Sequence, residues 1–328
     1  MNYKSQLSKR KGKDFIVLNL TDPQLSDEEW KDGHPNRKIL EYTVSELIRR
    51  CRPDLITVSG DIAWAGNEYA YDMFADFIEG FQIPWAPIWG NHDNQGGPEL
   101  VERVATRYMQ RKHCLFDKGD PALGNGNYVV EIVENGALTT GILLMDTHDR
   151  ENYVDADGRE YEAWSKLTDS QVEWYKEQIS RLKEKGCKDA VLITHIPIYA
   201  YRKASACAYK DSSNLKELTP KQALGHDCWK VGYEESVGVQ HEAISSFPLE
   251  DGVFEVVKEI GLTKHVLAGH DHINNWIIRY EGVRLIFALK TGAGCYWEPI
   301  LNGGTVIKVG ESGVKDVYHE YVDVSHML

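Results

Sequence analysis

Short apolar runs recur along this chain, separated by stretches in which apolar residues return every three or four positions. The runs fall at 15–20, 54–58, 127–133, 140–145, 190–194, 265–268, 284–288 and 304–308. They are short and rich in apolar and β-branched residues, which predicts strands. Between several of them, 37–50, 68–81, 99–111 and 170–185 carry an apolar stripe at helical spacing. The last is punctuated at both ends: Thr168-Asp169 offer an N-cap and Gly186 a terminating glycine. Strands alternating with helices predict an α/β architecture. No internal repeat, low-complexity tract or Pro/Ser-rich linker interrupts the pattern. The reading is one domain over 1–328, with 1–13 a flexible N-terminus.

The polar residues that close the apolar runs carry more information than the runs. Leu18-Asn19-Leu20 leads to Asp22, and 55–58 leads to Asp61. Ile88-Trp89 leads to Asn91-His92-Asp93, Val191-Leu192-Ile193 to His195, and His265-Val266-Leu267 to His270-Asp271-His272. In open α/β sheets ligands collect beyond the carboxyl ends of the strands. Alone, a histidine at a strand end is more often a satisfied structural residue, and Gly-Asp after a strand is usually a turn. Five such endings together exceed what turns explain and supply ligands for two metal ions. The local chemistry agrees. Gly60-Asp61 puts a carboxylate where backbone and metal approach closely, and Gly90-Asn91-His92-Asp93 offers an amide oxygen, an imidazole and a carboxylate on one turn. His270 and His272, at i and i+2, point to one side of an extended segment.

Asp22-x-Gln24, Gly60-Asp61, Gly90-Asn91-His92-Asp93, His195 and Gly269-His270-x-His272 together resemble the calcineurin-like metallophosphoesterases. That family reads Asp-x-His, Gly-Asp, Gly-Asn-His-Asp/Glu, a lone His, then Gly-His-x-His, and the order is kept from about residue 14 to residue 309. Gly124-Asn125-Gly126-Asn127-Tyr128-Val129-Val130, Gln171-Val172-Glu173-Trp174, Gly252-Val253-Phe254 and Leu289-Lys290-Thr291-Gly292 are similar to its purple-acid-phosphatase-like, or Dcr2-type, branch. The resemblance implies a four-layer αββα sandwich of two mixed β-sheets flanked by helices. It implies that Asp22, Gln24, Asp61 and His272 hold one metal, and that Asp61, Asn91, His195 and His270 hold a second. His92 would face the substrate and protonate the leaving oxygen, with Asp93 orienting it, and Asn91 would also meet the substrate. Purple enzymes have a tyrosine ligand where this chain has Trp64, which offers only an N–H donor, so no tyrosinate charge-transfer band is expected. Gln24 replaces the usual histidine. It ligates through its amide oxygen, holds a metal-bound water, or makes turn contacts. Oxygen-rich ligation favours manganese, iron or magnesium over zinc, with manganese and iron the leading expectation.

Charge and cysteine usage narrow the partners. The net charge is −13, and the cluster Lys9, Arg10, Lys11, Lys13 sits at the N-terminus. Without a basic stripe the chain does not read as a nucleic-acid binder. A small phosphorylated substrate is expected, with a phosphoprotein a further candidate. No run of about 18 apolar residues exists to span a membrane. The apolar stretch after the basic N-terminus is too short for a signal peptide, which predicts a cytoplasmic protein, although a trimmed secreted chain would read the same. Six scattered cysteines without a Cys-x-x-Cys pair predict free thiols.

Weaker signals lie between His195 and Gly269. The segment 199–247 is poor in apolar runs and reads either as a lid bringing Tyr199, Tyr201, Arg202 or Tyr209 to the substrate, or as a surface excursion. His226, Asp227, Cys228 and His241 lack ligand spacing, and Asp146 and His148 read as structural. Lys290 either approaches a phosphate or is solvated, and Tyr296-Trp297 either wall the cleft or pack. The expected activity is hydrolysis of a phosphate monoester or small phosphodiester. The alternatives are a cyclic-nucleotide phosphodiesterase or nuclease, and a non-hydrolytic regulatory module binding metal or phosphate. An intact His92-Asp93 pair argues against the last.

Overall fold

In the computed structural model of the chain the described residues are 5–155, 157–208 and 236–328. Two large mixed sheets form the frame. One contains β1 (Gln6–Ser8), β5 (Asn127–Glu134), β6 (Ala137–Met145), β9 (Asp189–Ile193), β10 (Thr263–Ala268), β11 (Ile277–Tyr280) and β12 (Val283–Phe287), in the spatial order β1-β5-β6-β9-β10-β12-β11. The other contains β2 (Phe15–Leu20), β3 (Leu55–Ser59), β4 (Trp85–Ile88), β13 (Gly303–Gly310) and β14 (Gly313–Tyr321), in the order β14-β13-β2-β3-β4. A separate hairpin pairs β7 (Arg150–Val154) with β8 (Glu160–Trp164).

The period-2 pattern of the first sheet separates two cores. Ile142, Leu144, Val191, Ile193, Leu267 and Ile286 face the core that also takes residues of β2, β3, β4 and β13. Their neighbours Leu143, Met145, Ala190, Leu192, Val266 and Phe287 face away, into a core with α5 (Asp169–Glu184) and α7 (Val253–Ile260). The helices α1 (Pro35–Cys51), α2 (Glu68–Glu79) and α4 (Pro98–Gln110) pack with the second sheet. This is the two-sheet sandwich with flanking helices implied by the motifs.

Pairing direction places the site. β2, β3 and β4 run parallel, with Leu20 opposite Val58 and Ser59 opposite Ile88. β9 and β10 are also parallel, with Ile193 opposite Leu267. The carboxyl ends of all five strands therefore meet on one rim.

Eight strands and four helices lie within a few residues of their expected positions. The sequence pattern missed the short β4 and β11, and β7 and β8, which are exposed and alternate without an apolar face, and β14, an edge strand carrying Lys315, Asp316 and Glu320. It also missed β1, which pairs Gln6–Ser8 with β5 inside the 1–13 expected to be flexible. It also misjudged the start of 199–247. Ala200–Ala208 is a helix, α6, whose Tyr201 and Ala204 are buried in the second core. The Tyr201 hydroxyl lies 2.8 and 3.0 Å from the carbonyls of Val266 and Ile286. Tyr201 thus anchors a helix to the sheet rather than meeting a substrate. Tyr209, His226, Asp227 and Cys228 lie outside the described residues. No described helix is long and apolar enough to cross a membrane.

Candidate metal centre

The five strand ends bring two three-residue groups together. Asp61, His195 and His270 offer ligand atoms within 4.8 Å of one another, and so do Asp22, Asp61 and His272; all five residues are buried. Asp61 belongs to both groups. Its Oδ2 lies 3.3 Å from His195 Nε2, while Oδ1 accepts the His92 backbone N–H at 2.9 Å. His272 Nε2 lies 3.3 Å from Asp22 Oδ1. Asn91, at the start of the short helix α3 (Asn91–Asn94), puts its Oδ1 3.0 Å from His195 Nε2.

Backbone geometry sets these positions at a cost. Asp22, Gln24, Asp61 and His270 all have φ between 45° and 75°, a region non-glycine residues rarely occupy. The loops are tied together: Asp22 N–H donates to Gly60 O and Gln24 N–H to Asp61 O, both at 3.1 Å. Gly90 must be glycine, because a Cβ there would lie 2.1 Å from Asp61 Oδ1. The outer nitrogens of two histidines are also anchored. His195 Nδ1 is 2.8 Å from Ser59 O and His272 Nδ1 is 2.8 Å from Tyr296 O. A carbonyl only accepts, so each Nδ1 carries hydrogen and each Nε2 is directed inward.

Electrostatics point to cations. Burial alone would raise Asp22, but His272, then His195 and Lys290, hold it well below the usual carboxylate range. Burial likewise opposes Asp61, whose carboxyl is lowered by His195. Burial lowers His195 and His272, yet the carboxylates outweigh it and push them up to about 10 and about 9. Burial, then His195, holds His270 down at about 3. Two buried carboxylates at close range thus demand positive charge. Buried atoms without a hydrogen-bond partner converge here too: Asp22 Oδ1, both amide atoms of Gln24, Asn91 Nδ2 and His270 Nε2. Unsatisfied buried polar groups are rare and require an explanation. Two metal ions fit this donor set.

Residues around this cluster depart from expectation in several ways. Asp93 does not orient His92. Its carboxylate accepts from the backbone N–H groups of Gly90 (2.7 Å), Ile62 (3.1 Å) and Ala63 (3.3 Å) and from the Tyr71 hydroxyl (2.9 Å). It clamps the Asp61 loop to α3 instead, and burial and then Asp61 push its carboxyl up to about 7. His92 Nδ1 lies 2.8 Å from Gln95 Oε1, and its ring sits 4.5 Å from that of Trp64. Lys290 neither lines a phosphate site nor meets solvent: it is buried and donates to Asp22 O at 2.6 Å. Tyr296 walls the site, stacked on His272 at 4.2 Å with its hydroxyl donating to Glu242. Trp164, on the hairpin, stands edge-on to His270 at 4.4 Å, with the Arg150 guanidinium 3.9 Å above it.

Tyr199 donates its backbone N–H to Asp251, and Lys203 lies over its ring. His241 stands outside both ligand groups. Asp146 and His148 are structural. Asp146 accepts from Asn94, Asn125 and His148, and His148 Nε2 meets Gln171 Oε1 at 2.9 Å. Gln95, Trp164 and Glu242 carried no local sequence signal, because each reaches the site through contacts made only in the folded chain.

The chain is similar to known proteins in sequence and fold. The family model for calcineurin-like phosphoesterases matches residues 17–274. The chain is 28% identical over 269 residues to "Probable inactive purple acid phosphatase 14" of Arabidopsis thaliana, covering 74% of this chain and 59% of that protein. It is 22% identical over 313 residues to "Phosphatase DCR2" of Saccharomyces cerevisiae, covering 89% of this chain and 50% of that one. The chain therefore spans about half to three-fifths of the length of these relatives. Among solved structures, a dimetal phosphatase from Danio rerio shares the fold, with a TM-score of 0.53 at 15% identity over 93% of this chain and 98% of that one. Motif order, two-sheet frame and family match agree: the chain belongs to the calcineurin-like phosphoesterase family.

Proposed function

We propose that this protein is a dinuclear metal-dependent hydrolase of a phosphate monoester or small phosphodiester. The observation that carries the reading is Asp61, shared by two buried ligand groups directly beside His92. Asp22, Gln24, Asp61 and His272 would hold one ion, and Asp61, Asn91, His195 and His270 the other. When bound, two such cations supply Lewis acidity toward phosphoryl oxygens and acidify water near neutral pH. The chain contributes the rest. Asp22 and Asp61 are the only anions among the proposed ligands, so the loaded site is net positive and attracts an anionic phosphoryl group. His92, anchored through Nδ1, would present Nε2 to the leaving oxygen and deliver a proton to it. Tyr296 and Trp164 would narrow the approach and limit water. The donor set mixes amide and carboxylate oxygens with imidazole, which suits manganese or iron.

The rival reading is a non-hydrolytic module, since the Arabidopsis relative bears the name "Probable inactive purple acid phosphatase 14". His92, poised by a hydrogen bond that metal binding does not need, favours hydrolysis. With manganese added, the wild-type protein is expected to hydrolyse p-nitrophenyl phosphate or its bis-ester. On glycerol 2-phosphate, whose alkoxide leaves only with a proton, His92→Ala is expected to lose at least about 100-fold in kcat, the low end for a general acid, while retaining its metal content. Undiminished turnover in that variant would remove His92 from the chemistry. No turnover in the wild type with two metals bound would favour the binding module.

A further inference from the structure

We propose that Gln95 and Asp149 form a positioning relay that fixes the tautomer and ring orientation of His92; its catalytic consequence rests on the proton-donor role proposed above. His92 Nδ1 lies 2.8 Å from Gln95 Oε1, and Gln95 Nε2 donates to Asp149 Oδ1 at 2.9 Å. The direction of the chain follows from donor and acceptor capacity. An ionised carboxylate only accepts, so Gln95 turns its amide nitrogen to Asp149 and its oxygen to the imidazole. An amide oxygen also only accepts, so His92 Nδ1 carries the hydrogen. Nε2 is then the nitrogen that takes up and releases a proton.

Both ends of the relay are anchored. Gln95 follows α3 three residues after His92, on the same helical face, and its backbone N–H donates to Asn91 O at 2.9 Å. Asp149 is held through its carbonyl, which accepts from Ser165 N–H at 3.0 Å. Buried Asp146 ties the two segments together, accepting from the Asn94 side chain at 2.8 Å and the His148 backbone at 3.0 Å. The Trp64 ring, 4.5 Å from the His92 ring and tilted 57° to it, limits its rotation. Gln95 and Asp149 are positioning residues, because they act through His92 and touch no reacting atom.

Two readouts on the full chain test this. In the magnesium-loaded, diamagnetic protein at mildly alkaline pH, nitrogen-15 NMR of the His92 ring should report hydrogen on Nδ1. His92→Ala identifies the signal. Gln95→Leu and Asp149→Ala should give a mixture of tautomers, whereas Asp149→Asn, whose amide oxygen still accepts from Gln95, should keep the wild-type form. Hydrolysis gives the second readout. Glycerol 2-phosphate, whose alkoxide leaves only with a proton, should lose about 30-fold in kcat in Gln95→Leu and Asp149→Ala, a fraction of the full general-acid effect. p-Nitrophenyl phosphate, a good leaving group, should lose no more than about 3-fold, and Asp149→Asn should stay within about 3-fold for both. An unchanged His92 tautomer in Gln95→Leu and Asp149→Ala overturns the relay, as does an equal loss for the two substrates. Should the wild type cleave neither substrate while the tautomer shifts as described, the relay stands and the hydrolytic reading falls.

Discussion

At the residue scale the decisive position is Gln24. It is fully buried, strained at φ 45°, and neither amide atom has a hydrogen-bond partner. A partnerless buried polar group costs about 1–3 kcal/mol, which a coordinated cation would offset. Turn contacts by the side chain are therefore a poor account of it. Gln24→His should retain about two metal ions per chain and shift preference toward zinc. Gln24→Leu should fall to about one, read by elemental analysis after dialysis; two ions retained in the leucine variant would exclude ligation. Asp93 calls for a different prediction. Because it satisfies Gly90, Ile62, Ala63 and Tyr71 at once, Asp93→Ala should lose about 3 kcal/mol or more of unfolding free energy in urea. Asp93→Asn, which keeps one acceptor oxygen, should lose less. Asp93 was visible in the motif, but its partners were not, because hydrogen-bond direction depends on where the turns of the two loops place their amides.

At the element scale, four helices were legible from their apolar stripes, α5 also from its cap, and most strands from their apolar runs. Thr168 accepts from Gln171 N–H, and the Gln171 side chain accepts from Thr168 N–H, a reciprocal cap at the start of α5. Thr168→Ala should cost about 1 kcal/mol of unfolding free energy in urea. Gln171→Ala should cost more, about 2–3 kcal/mol, because its amide nitrogen also donates to Asn127 Oδ1 and Asp146 O. Equal losses in the two variants would reduce Gln171 to a cap alone. This helix start thus reaches the Asp146 network beneath the relay. The β7–β8 hairpin was illegible for the opposite reason. It buries too little for an apolar alternation, and its place over His270 depends on Trp164 meeting a residue from another sheet strand end.

At the scale of the whole molecule, stability should depend on pH through histidines buried away from the metal centre. Burial, then Arg284 and Arg279, holds His265 down at about 3, and burial holds His319 down at about 4. A folded-state pKa below the unfolded value means that the unfolded chain binds more protons below about 6.5. The stability contributed by each neutral histidine is therefore present above that pH and lost as pH falls toward 4 and 3. At pH 5 the loss is about 2 kcal/mol per histidine. The difference in unfolding free energy between the metal-free wild type and His265→Leu, read in urea, should move by about 2 kcal/mol against the wild type between pH 7 and 5. A difference independent of pH would refute the assignment.

The sequence by itself determined the α/β class, most element positions, the family and the set of residues converging on the rim. Those signals are local: an apolar run and the polar residue that ends it lie within a few positions of each other. Only the tertiary structure decided what surrounds each of those residues. Asp149 meets Gln95 across 54 positions and Lys290 meets Asp22 across 268. Such pairs become neighbours only when the strand ends of two sheets close on one rim, and no local pattern of hydrophobic and polar residues encodes that closure.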